Sequence, residues 1–128
     1  MIKGCPFHRF LGIELVDMSK EDGTVTLSLT AREEFSRSDE RVELHGGIIA
    51  SLIDIAGDYA IALQLGQGVP TINLHVDYLR LARGKQAFAK AKTIRCGRSI
   101  GTVDIEVTDE NATLFAIGRG TYSTAVKT

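Results

Sequence analysis

His45, Gly46 and Gly47 stand at the head of a long apolar run, and eight residues after Gly46 that run carries a carboxylate, Asp54. Both features suit acyl chemistry. The first amides of a helix have no intrahelical acceptor, and the helix dipole adds positive potential there. Glycine at that position lets a ligand approach the backbone. Such an end can hold a carbonyl oxygen that turns negative during acyl transfer, each donor contributing about 3 kcal/mol. Asp54, surrounded by apolar residues, is expected to have a raised pKa, and it could activate a water or attack an acyl carbon directly. The residues by themselves leave a second reading open, in which the glycine pair is a tight turn and Asp54 a structural hydrogen-bonding group. His45 reads as a residue that orients the loop through a hydrogen bond rather than as a base, and Asp58 as facing solvent or capping a neighbouring group. His8 and His75 lack the acidic or thiol partners of a metal site, so no metal is expected.

Spacing constrains how these groups can cooperate. At ~1.5 Å per residue, Gly46 and Asp54 lie roughly 12 Å apart along one helix. One reacting carbon cannot touch both. If they share a site, the amide comes from one subunit and the carboxylate from another, with two helices antiparallel across a two-fold axis. The motif therefore predicts a homodimer.

The helix that carries them runs from Gly46 to about Leu65, too long and too rich in Ala, Leu and Ile for a strand. Gly66 and Gly68 stop it. Ile48, Leu52, Ile55, Tyr59 and Leu63 form one face, which Ile49, Ile53, Ala56 and Ala60 widen. The remaining strip is Gly47, Ala50, Ser51, Asp54, Gly57 and Asp58, small enough for close approach. Upstream, "FLGIELVD" (Phe10 to Asp17) reads as a first strand, joined through an Asp22-Gly23 turn to the alternating "TVTLSLT". Residues 31–43 are polar and read as a loop with at most a helical turn. Downstream, "TINLHVDYL", "QAFAKAKTIR", "SIGTVDIEVTD" and "TLFAIGRGTYS" are strands separated by Arg83-Gly84, Cys96-Gly97 and Glu110-Asn111, which predicts an antiparallel meander. Two strands, one long helix and four strands make an α+β arrangement, one curved antiparallel sheet around one helix. That order is the hotdog fold.

With 128 residues, 44% of them hydrophobic, the chain is expected to be one domain spanning residues 1–128. Cys5 and Cys96 lie far apart without metal spacing, and no leader sequence is evident, which points to free thiols and a cytoplasmic protein. Asp54 and Asp58 interrupt the apolar run before it reaches a membrane span. A formal charge of −1 argues against nucleic acid as a partner. Between Asp77 and Asp104 there is no acidic residue, yet Arg80, Arg83, Lys85, Lys90, Lys92, Arg95 and Arg98 all occur, a local basic field.

His45-Gly46-Gly47, six intervening residues and Asp54, on the helix of this strand order, resemble the PaaI-like acyl-coenzyme A thioesterases, and the resemblance runs from "FLGIELVD" to "GRGTYS". It implies Asp54 as nucleophile or general base, the Gly46 amide polarising the thioester carbonyl with Gly47 beside it, and Thr71, at the start of the following strand, assisting. It also implies a site completed across a dimer, with dimers often pairing into tetramers, and no cofactor. Six residues before the histidine the family has Asn or Gln to position water, and here stands Asp39. Val42 replaces a common glycine. An acid at that place would repel Asp54 unless Ser38 or Glu40 faces the site instead. Coenzyme A contacts in the family correspond to Arg80 through Arg83 and to Arg95, Gly97, Arg98 and Ser99, where arginines could hold phosphates. Lys90 and Lys92 read as solubilising strand residues. A hotdog hydratase would need a histidine paired with an acid on the strip, which offers none. A non-catalytic acyl-coenzyme A binding module is the other alternative, made credible by Asp39. Ile48, Ile49 and Tyr59 suit a pocket for aromatic or medium-chain acids.

Overall fold

The computed structural model describes residues 2–125. After a short 3-10 turn comes helix α1 (Pro6–Leu11), then strands β1 (Glu14–Ser19) and β2 (Thr24–Thr30), a second 3-10 turn (Glu33–Phe35), the long helix α2 (Gly46–Leu65), and strands β3 (Thr71–Tyr78), β4 (Gln86–Cys96), β5 (Ile100–Asp109) and β6 (Leu114–Ser123). One six-stranded sheet, in the order β1-β2-β4-β5-β6-β3 and antiparallel at every pairing, wraps α2.

α2 has the bounds that its apolar periodicity predicts. His45 caps its start, and Gly66, at φ 82°, closes it in the left-handed conformation, its N–H donating to the Ala62 carbonyl. By length and composition it is apolar enough to cross a membrane, at mean hydropathy 1.6, but it is the core helix here. Inward residues of β2 (Val25, Leu27, Leu29), β4 (Ala87, Ala89, Ala91) and β5 (Val103, Ile105, Val107) cover it together with Tyr122. Three alanines in β4 leave room for the helix to lie close.

Three expectations change. Phe10 and Leu11 belong to α1, not to the first strand: Pro6 starts that helix and Gly12, at φ 72°, ends it. The last four strands are not a simple meander, because β3 pairs with β6 at the far edge rather than with β4. Residues 79–85 instead cross the N-terminal end of α2, where Ala82 O accepts from Leu44 N–H at 3.0 Å. Strand alternation reports a pleat and not a neighbour, so this crossover leaves no trace in the pattern. Gly57 is buried beneath Tyr122 instead of lying on the open strip. The strip is therefore Gly47, Ala50, Ser51, Asp54 and Asp58, and Ile48, Tyr59 and Leu63 are only half-buried.

Candidate active site

His45 sits in extended geometry just before α2, and its Nδ1 accepts the Gly47 N–H at 2.9 Å. That bond fixes the orientation of the imidazole and occupies the N–H of Gly47, which stands beside Gly46 as expected. Ile48 and Ile49 donate to the His45 carbonyl at 2.9 and 3.2 Å. Among the described residues, the Gly46 N–H alone of these first amides has no acceptor. The Gly46 carbonyl is held by the Tyr78 hydroxyl at 2.7 Å. A side-chain carbon on Gly46 would lie 3.3 Å from the exposed Tyr78 ring, which would have to give by a few tenths of an ångström. Tyr78 was not a sequence candidate, since an alternating strand tyrosine carries no mark of its partner. A groove of about 410 Å³ opens beside Gly46 and Ile49, with Arg80 and Leu81 on its other wall.

Two turns along α2, the half-buried Asp54 accepts the Thr71 hydroxyl on Oδ1 at 2.6 Å. Thr71 opens β3, so strand and helix meet at this carboxylate. The main-chain carbonyl of Asp54 accepts the Tyr122 hydroxyl at 3.0 Å. Burial, and then the nearby Asp54 and Asp58 carboxylates, push the Tyr122 pKa far up, so this phenol is a permanent donor. Asp58 caps the Val69 N–H at 3.1 Å, and burial raises its pKa. It borders a cavity of about 350 Å³ between α1 and α2, lined also by Ile55, Tyr59 and Ala62. Tyr59 thus lines this cavity, whereas Ile49 lines the Gly46 groove.

Asp39 is exposed on the loop that leads into α2. The loop is closed by Ser36, whose Oγ accepts from the Ser38 and Glu43 N–H groups at 3.1 and 3.0 Å. Ser38 Oγ accepts the Glu40 N–H at 3.1 Å, and Glu40 is itself exposed. The acid this loop turns inward is Glu43, only 4% exposed, whose carboxylate accepts from Arg83 Nε and, at 3.4 Å, from Arg37 Nη1. The Arg83 hydrogen bond, opposed by burial and assisted by the arginine charges, holds the Glu43 carboxyl below the usual glutamate range.

The basic residues fall into two groups. Arg80 and Arg83 lie at the Gly46 end of α2, with the Nε of Arg83 already given to Glu43. Arg95, Gly97, Arg98 and Ser99 form the β4–β5 hairpin tip, tied down by Thr124 through Gly97 O at 2.7 Å and Ser99 O at 2.9 Å. Gly101, just beyond that tip, faces Ile61 near the other end of α2. A 20-residue helix is about 30 Å long, so most of its length separates the two groups within one chain. Lys90 and Lys92 stand opposite Glu106 and Asp104 across the β4–β5 pair. His75 Nε2 lies 3.1 Å from Asp77 Oδ1, both on the exposed β3, a single pair and not a cluster of metal ligands among the described residues.

A long helix wrapped by a six-stranded antiparallel sheet is the hotdog fold, and here the helix carries an unpaired amide at its head and a hydroxyl-bound aspartate two turns on. Residues 43–116 match the thioesterase superfamily. The chain belongs to that superfamily, and its class of reaction is thioester hydrolysis. A crystal structure of a thioesterase-superfamily protein superposes with a TM-score of 0.89 at 40% identity, over 95% of this chain and 91% of that one. The medium/long-chain acyl-CoA thioesterase YigI of Escherichia coli is 29% identical over 132 residues, covering 91% of this chain and 84% of YigI. Escherichia coli PaaI, from the phenylacetic acid degradation operon, shares the fold at a TM-score of 0.86 and 24% identity, over 98% of this chain and 88% of PaaI.

Proposed function

We propose that this chain hydrolyses acyl-coenzyme A thioesters at a site shared by two copies, Asp54 of one facing Gly46 of the other. The observation that carries the reading is the Thr71–Asp54 hydrogen bond at one end of β3, matched by the Tyr78–Gly46 bond at its other end. β3 is an edge strand with its outer side unpaired in the sheet. Two such edges paired antiparallel about a two-fold axis set Thr71 against Tyr78 of the second copy. Asp54 then approaches the free Gly46 amide that no single chain can bring to it. The exposed Ile72 on the strand gives that pairing an apolar contact. The same pairing offers one coenzyme A the Arg80 group of one chain and the Arg98 group of the other. A pairing of such dimers into tetramers is part of the same proposal.

In this arrangement the thioester oxygen accepts from Gly46 N–H, which steadies the negative charge as the carbonyl carbon becomes tetrahedral. Asp54 either takes a proton from the water that attacks that carbon, or attacks it directly to form an anhydride that water then opens. Both routes consume one water, break the carbon–sulfur bond and release one acid and one thiol, and both use Asp54 ionised. Thr71 holds the carboxylate in one rotamer. The acyl chain follows α2 toward the cavity beside Ile55, Tyr59 and Ala62, whose apolar lining fits a medium-length chain.

The test is thiol release from short, medium, long and aromatic acyl-coenzyme A esters by the wild type and Asp54→Asn. Turnover that falls by about 10³-fold in Asp54→Asn, with the oligomer intact, is expected. Undiminished turnover in Asp54→Asn overturns the reading.

A further inference from the structure

We infer that Glu43 is a positioning residue of the thioester site, fastening the loop that delivers Gly46 to the connection that forms the opposite wall of the groove. The inference rests on the reading of Gly46 as the oxyanion donor. Glu43 is the buried charged residue among the described residues, and every polar group it has is engaged. Its N–H donates to Ser36 Oγ at 3.0 Å and its carbonyl accepts from Arg37 N–H at 2.9 Å. Its carboxylate takes Arg83 on one oxygen and Arg37 on the other. The two residues after it are tied in turn, Leu44 N–H to Ala82 O at 3.0 Å and His45 N–H to Phe35 O at 2.8 Å. Gly46 follows immediately. Three consecutive residues are thus laced alternately to residues 35–37 and to residues 82–83.

Both laced segments border the groove on which Gly46 opens, Arg37 on one and Ala82 on the other. Stability alone does not call for a carboxylate here. Burying one is costly unless it is fully partnered, and an apolar residue of similar volume commonly serves a fold as well or better. What two arginines add, one on each oxygen of the carboxylate, is direction. An oxyanion donor needs that, because a displacement of about 1 Å near reacting atoms can cost ~10²-fold in rate.

The experiment measures kcat and KM for acyl-coenzyme A hydrolysis, together with Tm, in wild type, Glu43→Gln and the double variant Glu43→Met with Arg83→Leu, with Asp54→Asn as reference. Glu43→Gln keeps the shape and removes the charge, and its kcat is expected to fall about 10-fold while KM stays within about 3-fold. The double variant replaces the ion pair by apolar contacts, so its Tm is expected to match or exceed the wild type while kcat stays low. A double variant with wild-type kcat overturns the inference, as does a Glu43→Gln defect confined to KM or to Tm. Loss of the underlying reading shows separately, as turnover that survives Asp54→Asn.

Discussion

Replacing Gly57 with alanine sets helix propensity against packing. In an exposed helix the change stabilises by about 1 kcal/mol, since glycine is the poorer helix former. At Gly57 the added carbon would lie 2.8 Å from Tyr122 Cζ and 3.0 Å from its Cε2, and it would crowd the hydroxyl as well. The ring is fully buried and cannot swing aside. Overpacking of this kind costs roughly 2 kcal/mol. Displacing the hydroxyl also breaks its bond to the Asp54 carbonyl and leaves a buried donor unmatched, about 1.5 kcal/mol more. The net loss is about 2.5 kcal/mol. With ~2.1 cal/mol/K of unfolding entropy per residue over 128 residues, Tm should drop by about 9 °C. Thermal denaturation followed by circular dichroism, at fixed protein concentration, reads this directly. Because the broken bond sits on Asp54 itself, kcat should fall in the same protein. In a Tyr122→Phe background the penalty should shrink without vanishing, since the ring carbon remains in the way. A Gly57→Ala protein as stable as the wild type, or more stable, would refute the reasoning, because propensity would then outweigh the contact with the sheet.

Thr71→Val removes the donor to Asp54 at nearly constant volume, and kcat should fall about 10-fold, whereas Thr71→Ser should stay near wild type; equal rates for the two variants would mean that the hydroxyl does not matter. Burial raises the folded-state pKa of Asp58, so the stability associated with it is fully present below its unfolded pKa and is lost as pH rises through the folded value. Asp58→Asn, which can still accept from Val69 N–H, should therefore raise Tm by a few degrees at pH 7 and leave it unchanged near pH 3, and a Tm gain of equal size at both would show that ionisation is not the cause.

How much of this was legible beforehand depended on range. α2 was readable end to end because its apolar period, its opening glycines and Gly66 are all local. The number of strands after it was readable for the same reason. The position of β3 was not, since pairing with β6 rather than β4 depends on the route of residues 79–85 across the helix end. α1 is not legible because Phe10 and Leu11 are as apolar as a strand start and six residues show too little period. Asp54 stood out as a charge inside an apolar run, whereas Glu43 sat among charged neighbours where a buried acid looks like a solvated one. Its partner Arg83 is forty residues away, and nothing in either local pattern announces the other. The burial of Gly57 is not legible, because a glycine does not say which side of a helix it faces until its neighbour, Tyr122, is known.

One quantity passed from sequence to structure without needing any tertiary information, the separation of Gly46 from Asp54. A helix is a ruler, and an unbroken helix over Gly46–Leu65 keeps those two groups about 12 Å apart in every copy of the chain. The fold adds a second element laid alongside the ruler. β3 touches the Asp54 end with Thr71 and the Gly46 end with Tyr78, running opposite to the helix. Any antiparallel pairing along that free edge exchanges the two ends between copies. In the proposed dimer, the spacing is what calls for a second copy, and the edge strand is the direction from which it comes.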